Sequence, residues 1–95
     1  MKNGFQIVDA HTHIGTAPHS GRSYSDEDLL RDMDRFGVDR SLIIPFPVVD
    51  DFAATHDEIG RAVRRWPDRL SGAACLYPFQ AEGVFRSEVR RCREQ

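Results

Sequence analysis

Residues 5–15, with the sequence FQIVDAHTHIG, join a short apolar run to two histidines and decide how the chain is interpreted. The run is partly β-branched and precedes a stretch rich in Gly, Pro, Ser and Thr at residues 15–25. This pattern predicts a strand over residues 5–10 that feeds a long, irregular loop. Loops of that length are often functional, so the histidines at the end of this strand are the first candidates for a functional site.

The rest of the chain alternates between helical and strand patterns. Ser25, followed by three acidic residues, predicts the start of a helix that ends at Gly37. Two more strands are predicted at 41–44 and 70–76, the latter small and apolar enough to be covered on both faces. A second helix is expected from Asp50 or Asp51 to about Trp66, and a third from about Ala81. The predicted apolar helix faces comprise Leu29, Leu30, Met33, Phe36, Phe52, His56, Ile59, Val63, Trp66, Phe85, Val89 and Cys92.

The element order is therefore β-α-β-α-β-α, which is typical of α/β folds with parallel strands. A small open three-layer sheet and the opening of a (β/α)8 barrel both fit this order. Right-handed crossovers would place all three helices on one face of the sheet, so the other face would meet water. Such a face needs more chain or a partner, and a homo-oligomer is left open. The uncovered face favours residues 1–95 being the amino-terminal part of a longer domain.

Composition places the chain among ordinary soluble globular proteins. It has 95 residues, of which 40% are hydrophobic and 29% charged, and it lacks a run of about 18 apolar residues. Residues 1–58 carry five Lys and Arg against eleven Asp and Glu, and residues 59–95 carry eight against four. The basic half falls on helix faces without a stacking platform of aromatic residues, which disfavours nucleic acid. The two cysteines lack metal or redox spacing. We expect a cytoplasmic protein that binds neither a membrane nor nucleic acid.

The strand-end residues Asp9, His11 and His13 follow a period of two, so regular strand geometry predicts that all three project from one face. Both imidazoles could then converge on one ion. Zn²⁺ accepts neutral imidazole nitrogen, but a catalytic zinc site usually has three protein ligands, so two histidines are an incomplete site. H-x-H is a weak motif alone, and its position at a strand end, where α/β folds bind ligands, strengthens it.

The run IVDAHTHIG at residues 7–15 resembles the opening of the amidohydrolase-related metal-dependent hydrolases, whose branch also contains aromatic and amino-muconate decarboxylases. The segment FGVDR at 36–40 and the segment PDR at 67–69 agree with this resemblance. It implies a (β/α)8 barrel, of which this chain is the first three β/α units, and an enzyme. It also implies that His11 and His13 are the first two ligands of a divalent metal ion, for which we expect Zn²⁺.

The family's later histidine and last-strand aspartate have no matching positions in this chain, so the catalytic residues stay unknown. Neither His19 nor His56 matches a ligand motif, and we expect His19 on an exposed loop and His56 packed and hydrogen-bonded. Metal-activated water or a metal-polarised carboxylate would serve hydrolysis and decarboxylation alike. The loop residues that could hold a small carboxylate-bearing or aromatic substrate are Arg22, Tyr24 and Phe46.

Two other hypotheses about the function stay open. Phosphoesterases of the polymerase-and-histidinol-phosphatase type and nucleases of the TatD type also begin with H-x-H. The former usually carry Thr-Asp-His after the second strand, where this chain has IPFP at 44–47, and the latter fit the PDR segment less well. A third reading is a non-catalytic, truncated α/β module that binds metal or a partner through its uncovered sheet.

Overall fold

The computed structural model describes residues 3–16, 21–46, 52–76 and 82–94. In chain order the elements are β1 (Val8–Thr12), β2 (Gly15–Thr16), β3 (Ser23–Tyr24), α1 (Asp26–Phe36), β4 (Arg40–Ile43), α2 (Phe52–Arg65), β5 (Leu70–Gly72) and α3 (Glu82–Arg93). The fold is mixed α/β, and its main sheet contains three parallel strands in the order β1-β4-β5. The predicted alternation of strands and helices is therefore confirmed, with a small additional hairpin formed by β2 and β3.

The first strand begins at Val8, so the predicted start at residue 5 is wrong. Pairing with β4 sets this boundary, because the first matched residues are Val8 and Arg40. Just before it, the Ile7 carbonyl accepts the N–H groups of Asp39 and Arg40, and the Ile7 N–H donates to Asp39 Oδ2 at 2.7 Å. That backbone hydrogen bond lowers the pKa of Asp39. A contact made 32 residues away in the sequence thus sets where β1 begins.

The loop after β1 is more regular than predicted. Gly15 pairs with Tyr24, and Thr16 pairs with Ser23, in a short antiparallel ladder. The hydroxyl oxygens of Thr16 and Ser23 lie 2.9 Å apart, so a side-chain hydrogen bond supports the cross-strand pair. Composition predicted the turn residues but not this pairing, because Ser and Thr occur in both turns and strands. Residues 17–20, including His19, lie outside the described part of the chain.

Helix α1 begins and ends as predicted. Ser25 forms a capping box with Asp28: the Ser25 hydroxyl accepts the Asp28 N–H at 3.1 Å, and the Asp28 carboxylate accepts the Ser25 N–H at 3.0 Å. The latter hydrogen bond lowers the pKa of Asp28. Gly37 closes the helix in the left-handed conformation, with φ of 73°. The predicted caps of the second helix, Asp50 and Asp51, lie outside the described residues.

One apolar core joins the two helices α1 and α2 to the sheet. Its most buried members are Ile43 in the central strand, which is 0% exposed, and Leu70 in β5, which is 1% exposed. Further members are Ile14, Leu29, Leu30, Met33, Ile59 and Ala62, with Tyr24, Val38, Val63 and Trp66 packed against them.

Two predictions about the core are wrong. Phe36 is 56% exposed, because it is the last residue of α1 and its ring lies beneath the Arg35 guanidinium, 5.3 Å from its centroid. Helix α3 has no buried residue: of its predicted apolar face, Val89 is 44% exposed, while Phe85 and Cys92 are half-buried. Polar contacts between Arg91 of α3 and residues Ala53 and Asp57 of α2 also join the two helices.

The sheet has one open face. Val8 in β1 is 58% exposed, and Ser71 in β5 is exposed, so the prediction that the third strand is covered on both faces is wrong. This strand is also only three residues long, since its ladder with β4 ends at the pair Ile43–Gly72. The expectation that one sheet face meets water is confirmed. None of the helices formed by the described residues is both long and apolar enough to cross a membrane.

Candidate metal site

The two histidines of the H-x-H motif lie at the carboxyl end of β1. Two hydrogen bonds hold this end beside the carboxyl end of β4. The Ile44 N–H donates to the Thr12 carbonyl at 2.8 Å, and the Thr12 hydroxyl donates to the Leu42 carbonyl at 2.7 Å. These hydrogen bonds fix the ends of β1 and β4 relative to each other, so the backbone that carries the two histidines is held in place.

The imidazole rings of His11 and His13 converge. Their Nε2 atoms lie 3.2 Å apart, with ring centroids at 5.0 Å and ring planes at 78°. Two nitrogens that each lie about 2.0–2.1 Å from a tetrahedral Zn²⁺ are about 3.3 Å apart. The observed separation therefore matches the spacing of two ligands on one ion. The same distance also fits a hydrogen bond in which the Nε2–H of His11 donates to Nε2 of His13.

The hydrogen bonding of His13 leaves its Nε2 atom available as a ligand. Its Nδ1 atom lies 2.6 Å from the Ile44 carbonyl oxygen, which only accepts, so Nδ1 carries the proton and donates. In the neutral ring Nε2 then keeps its lone pair and points towards His11. Metal-binding histidines usually have this arrangement: the ring nitrogen that does not bind the metal donates a hydrogen bond, often to a backbone carbonyl.

Asp9 does not share an uninterrupted strand face with the two histidines, contrary to the prediction. Asp9 pairs with Ser41 and Thr12 pairs with Ile43, so three steps along β1 match two steps along β4. This irregularity breaks the period of two between them. The Asp9 carboxylate accepts the N–H of His11 at 3.0 Å, which makes it a local backbone contact. At this strand end the convergent ligands are therefore the two histidines.

Gly15 turns the chain immediately after the histidines. Its φ of 97° is unfavourable for any residue with a Cβ atom, and a Cβ atom there would lie 2.7 Å from Oε1 of Glu58. The Glu58 carboxylate is the flexible end of a side chain and can move, so the backbone conformation is the larger constraint. Gly15, the first residue of β2, thereby turns the chain into the pairing with β3.

Replacing Gly15 with alanine is expected to lower the free energy of unfolding by about 1–2 kcal/mol, because the alanine must adopt a left-handed conformation. Urea unfolding followed by circular dichroism measures this change. The control is Gly83→Ala within α3, where nothing lies within 4 Å of the added methyl group. There the same substitution is expected to stabilise the chain by about 0.5 kcal/mol. Equal effects at both positions would contradict the role of the Gly15 backbone.

The three predicted substrate residues have different environments. Phe46 stacks on the His13 ring, with centroids 4.6 Å apart and planes at 19°, so it lies at the histidine pair. Arg22 is exposed in the segment before β3. Tyr24 points its hydroxyl to α1, where it donates to the Asp28 carbonyl at 3.2 Å and to the Asp32 carboxylate. Burial and the Asp32 hydrogen bond raise the pKa of Tyr24 to about 12. A substrate contact by each of these residues stays a prediction.

A second group of potential ligands lies between α2 and α3. The ligand atoms of His56, Glu88 and Cys92 are all within 4.8 Å of one another, so by distance this is a possible metal site. Sequence reasoning missed the group as a set. The available signal was the spacing of four between Glu88 and Cys92 on one helix, but the packing of His56 against that helix had no local signature.

Hydrogen bonding argues against a metal at this second group. The Cys75 backbone N–H donates to Nε2 of His56 at 3.1 Å, so the proton of the neutral ring is on Nδ1, which lies 3.2 Å from Glu88 Oε1 and donates to it. Both nitrogens are therefore engaged. The Glu88 carboxylate also accepts from the Arg91 guanidinium, a cation that a metal ion would have to displace. His56, which is 3% exposed, is packed and hydrogen-bonded as predicted.

The pKa shifts of Glu88 and Cys92 indicate that these residues join α3 to α2 rather than bind a metal. Burial tends to raise the pKa of Glu88, but hydrogen bonds from Arg91 and His56 lower it overall, so Glu88 stays an anion paired with Arg91. Burial and the nearby Glu88 raise the pKa of the Cys92 thiol, which disfavours the thiolate that binds metals. Arg91 additionally donates to the Ala53 carbonyl of α2 at 3.0 Å. The polar network thus joins α3 to α2.

Comparison with known proteins informs the fold. No family model matches the chain, and neither does any curated protein. The chain is similar to the crystal structure of 4-oxalomesaconate hydratase from Rhodopseudomonas palustris, with a TM-score of 0.64 and 21% sequence identity. The match covers 94% of this chain and 39% of the hydratase chain. That enzyme is a TIM barrel, so the parallel β/α arrangement described above is similar to part of a barrel enzyme.

Proposed function

We propose that this chain supplies the first metal-binding unit of a metal-dependent hydrolase or decarboxylase of the amidohydrolase-related type. In this proposal His11 and His13 provide two ligands to a divalent ion, for which Zn²⁺ is the first choice because it accepts neutral imidazole. The observation that carries the proposal is the 3.2 Å separation of the two Nε2 atoms, with Nδ1 of His13 donating to a backbone carbonyl. The sheet would then be part of a (β/α)8 barrel.

The chain's own residues would perform two tasks in such a reaction. The Ile44 carbonyl, by accepting the Nδ1 proton of His13, would keep the Nε2 lone pair directed at the ion. The Phe46 ring and the Arg22 guanidinium would lie on the substrate side and favour a small molecule that carries a carboxylate or an aromatic ring. When bound, the ion would supply Lewis-acid activation of water or of a substrate carboxylate. Further ligands and the group that transfers the proton are expected from residues beyond the described site.

The similar structure supports a wider choice of reaction classes in this proposal. The protein named above is by its printed name a hydratase of 4-oxalomesaconate, and the match covers 39% of its chain. Hydration, hydrolysis and decarboxylation of carboxylate-bearing substrates can all use an activated water or a polarised carboxylate. We therefore extend the proposed class of reaction to lyases of this kind. The activity belongs to the whole enzyme rather than to the metal-binding unit alone.

The proposal is tested by metal binding to the purified chain. After treatment with a chelator, the chain is titrated with Zn²⁺ in competition with a chromophoric chelator, and its mass is followed by light scattering. We expect one Zn²⁺ per chain, since the histidine pair is preformed. At about 100 μM free Zn²⁺, any site with a binding free energy more favourable than about −5.5 kcal/mol is more than half occupied. A chain that is folded by circular dichroism but binds no Zn²⁺ at this concentration would contradict the proposal.

A non-catalytic module that binds a partner is the second candidate function, and the open sheet face is the observation that favours it. The same experiment separates the two candidates. A metal-free chain that forms a defined oligomer in light scattering would favour the module. A chain that binds Zn²⁺ with the histidine pair would favour the enzyme unit.

A further inference from the structure

Phe46 contacts the metal-binding unit in a way that its proposed substrate role does not explain. Its ring is nearly parallel to that of His13, at 19°, and the centroids are 4.6 Å apart. This is offset stacking geometry, one of the favourable arrangements of aromatic pairs. The partner of Phe46 is thus the same imidazole whose Nδ1 donates to Ile44. One face of the His13 ring and one of its nitrogens are both held by the segment that follows β4.

That segment is itself well anchored. The Ile44 N–H donates to the Thr12 carbonyl, and the Ile44 carbonyl accepts the Nδ1 proton of His13, so Ile44 is hydrogen-bonded both to the end of β1 and to the residue after it. Pro45 is buried, and its ring fixes the backbone angle that leads to Phe46. The aromatic ring is therefore presented to His13 from a restrained backbone. A side chain held in this way can restrict the rotation of the imidazole about its χ2 torsion, which is intrinsically broad.

The stacking also has an electrostatic consequence for a bound cation. The face of an aromatic ring carries the negative part of its quadrupole, so it favours a neighbouring ring that has become electron-poor. An imidazole that shares its lone pair with a divalent ion is such a ring. Phe46 would then stabilise the metal-bound form of His13 more than the neutral, free form.

We propose that Phe46 is a positioning residue for the metal site: by stacking on His13 it holds the Nε2 atom towards His11 and raises the affinity for the ion. This inference rests on the proposed function, since it requires His13 to be a ligand. Phe46 acts in it through His13 rather than through contact with the ion or the substrate. It goes beyond the proposed substrate contact, because it concerns the chain before any substrate is bound.

The test compares Zn²⁺ affinity among variants of the chain. Phe46→Ala is expected to weaken binding about two- to tenfold, the range that a lost aromatic pair corresponds to. Phe46→Tyr keeps the ring face and should bind within about twofold of the original chain, whereas Phe46→Leu keeps apolar bulk without a π-face and should fall in between. Phe36→Ala is the matched control, because Phe36 is 56% exposed at the end of α1, and it should leave the affinity unchanged.

A second measurement reads the position of His13 without metal. Long-range ¹H–¹⁵N spectra report which imidazole nitrogen carries the proton, and we expect His13 of the original chain to be protonated at Nδ1. In Phe46→Ala this preference should become mixed, and in Phe46→Tyr it should persist.

Unchanged Zn²⁺ affinity together with an unchanged His13 tautomer in Phe46→Ala would overturn the inference while leaving the proposed function standing. If the original chain bound no Zn²⁺, the proposed function would fail and the effect of Phe46 on affinity with it. The two failures are therefore distinguishable from the same set of proteins. Loss of affinity in Phe36→Ala as large as in Phe46→Ala would also overturn the inference, because it would point to a general effect on folding.

Discussion

Replacing His13 with alanine is expected to lower the affinity of the chain for Zn²⁺ by about 100-fold, which corresponds to about 2.7 kcal/mol. The substitution removes one of two convergent nitrogens that lie 3.2 Å apart, and a single imidazole is a weak ligand. His11→Ala should have a similar effect for the same reason. Competition with a chromophoric chelator measures both. The free energy of unfolding should fall by no more than about 1 kcal/mol, because His13 donates one partly buried hydrogen bond.

The second group of potential ligands provides the control for this experiment. Cys92→Ser removes the thiol next to Glu88 but retains the size and the hydrogen-bonding capacity of the side chain. If the histidine pair is the site, this variant should bind Zn²⁺ as the original chain does. The opposite result, loss in Cys92→Ser and retention in His13→Ala, would move the metal to the group between α2 and α3 and refute the assignment of the H-x-H motif.

The sequence was sufficient for the features that depend on local signals. The capping box of Ser25 and the left-handed Gly37 are encoded within a few residues, and both were predicted. The convergence of His11 and His13 was also predictable, since residues two apart at a strand end share a face. These predictions needed no information about the rest of the fold.

The features that were not predicted depend on distant contacts. The irregular pairing between β1 and β4 interrupts the period of two between Asp9 and the histidines, and no local pattern in β1 predicts this irregularity. The acceptor for Nδ1 of His13 is a carbonyl 31 residues away, at Ile44. In the same way, whether Phe36 reaches the core depends on where α1 ends relative to the sheet. Periodicity identifies the face of an element but not the extent to which a neighbour covers it.

The largest effect on stability is expected from the centre of the sheet. Ile43→Ala should lower the free energy of unfolding by about 3 kcal/mol, since Ile43 is 0% exposed and the lost methyl and methylene groups leave a cavity. Ile43→Val removes a single methylene and should cost about 1 kcal/mol. The control is Val8→Ala in β1, whose side chain is 58% exposed, and which should change the value by no more than about 0.5 kcal/mol.

Urea unfolding followed by the fluorescence of Trp66 measures these differences, because this residue is the only tryptophan and packs against the core. Equal effects of Ile43→Ala and Val8→Ala would show that the helices do not seal the central strand in solution. Ile43→Ala should also weaken Zn²⁺ binding, since the next residue, Ile44, holds His13. His13→Ala, in contrast, should bind Zn²⁺ about 100-fold more weakly while the sheet persists. The two variants together distinguish an effect on the sheet from an effect on the metal ligands. The metal site needs an intact β4, whereas β4 is expected to stay folded without the His13 side chain.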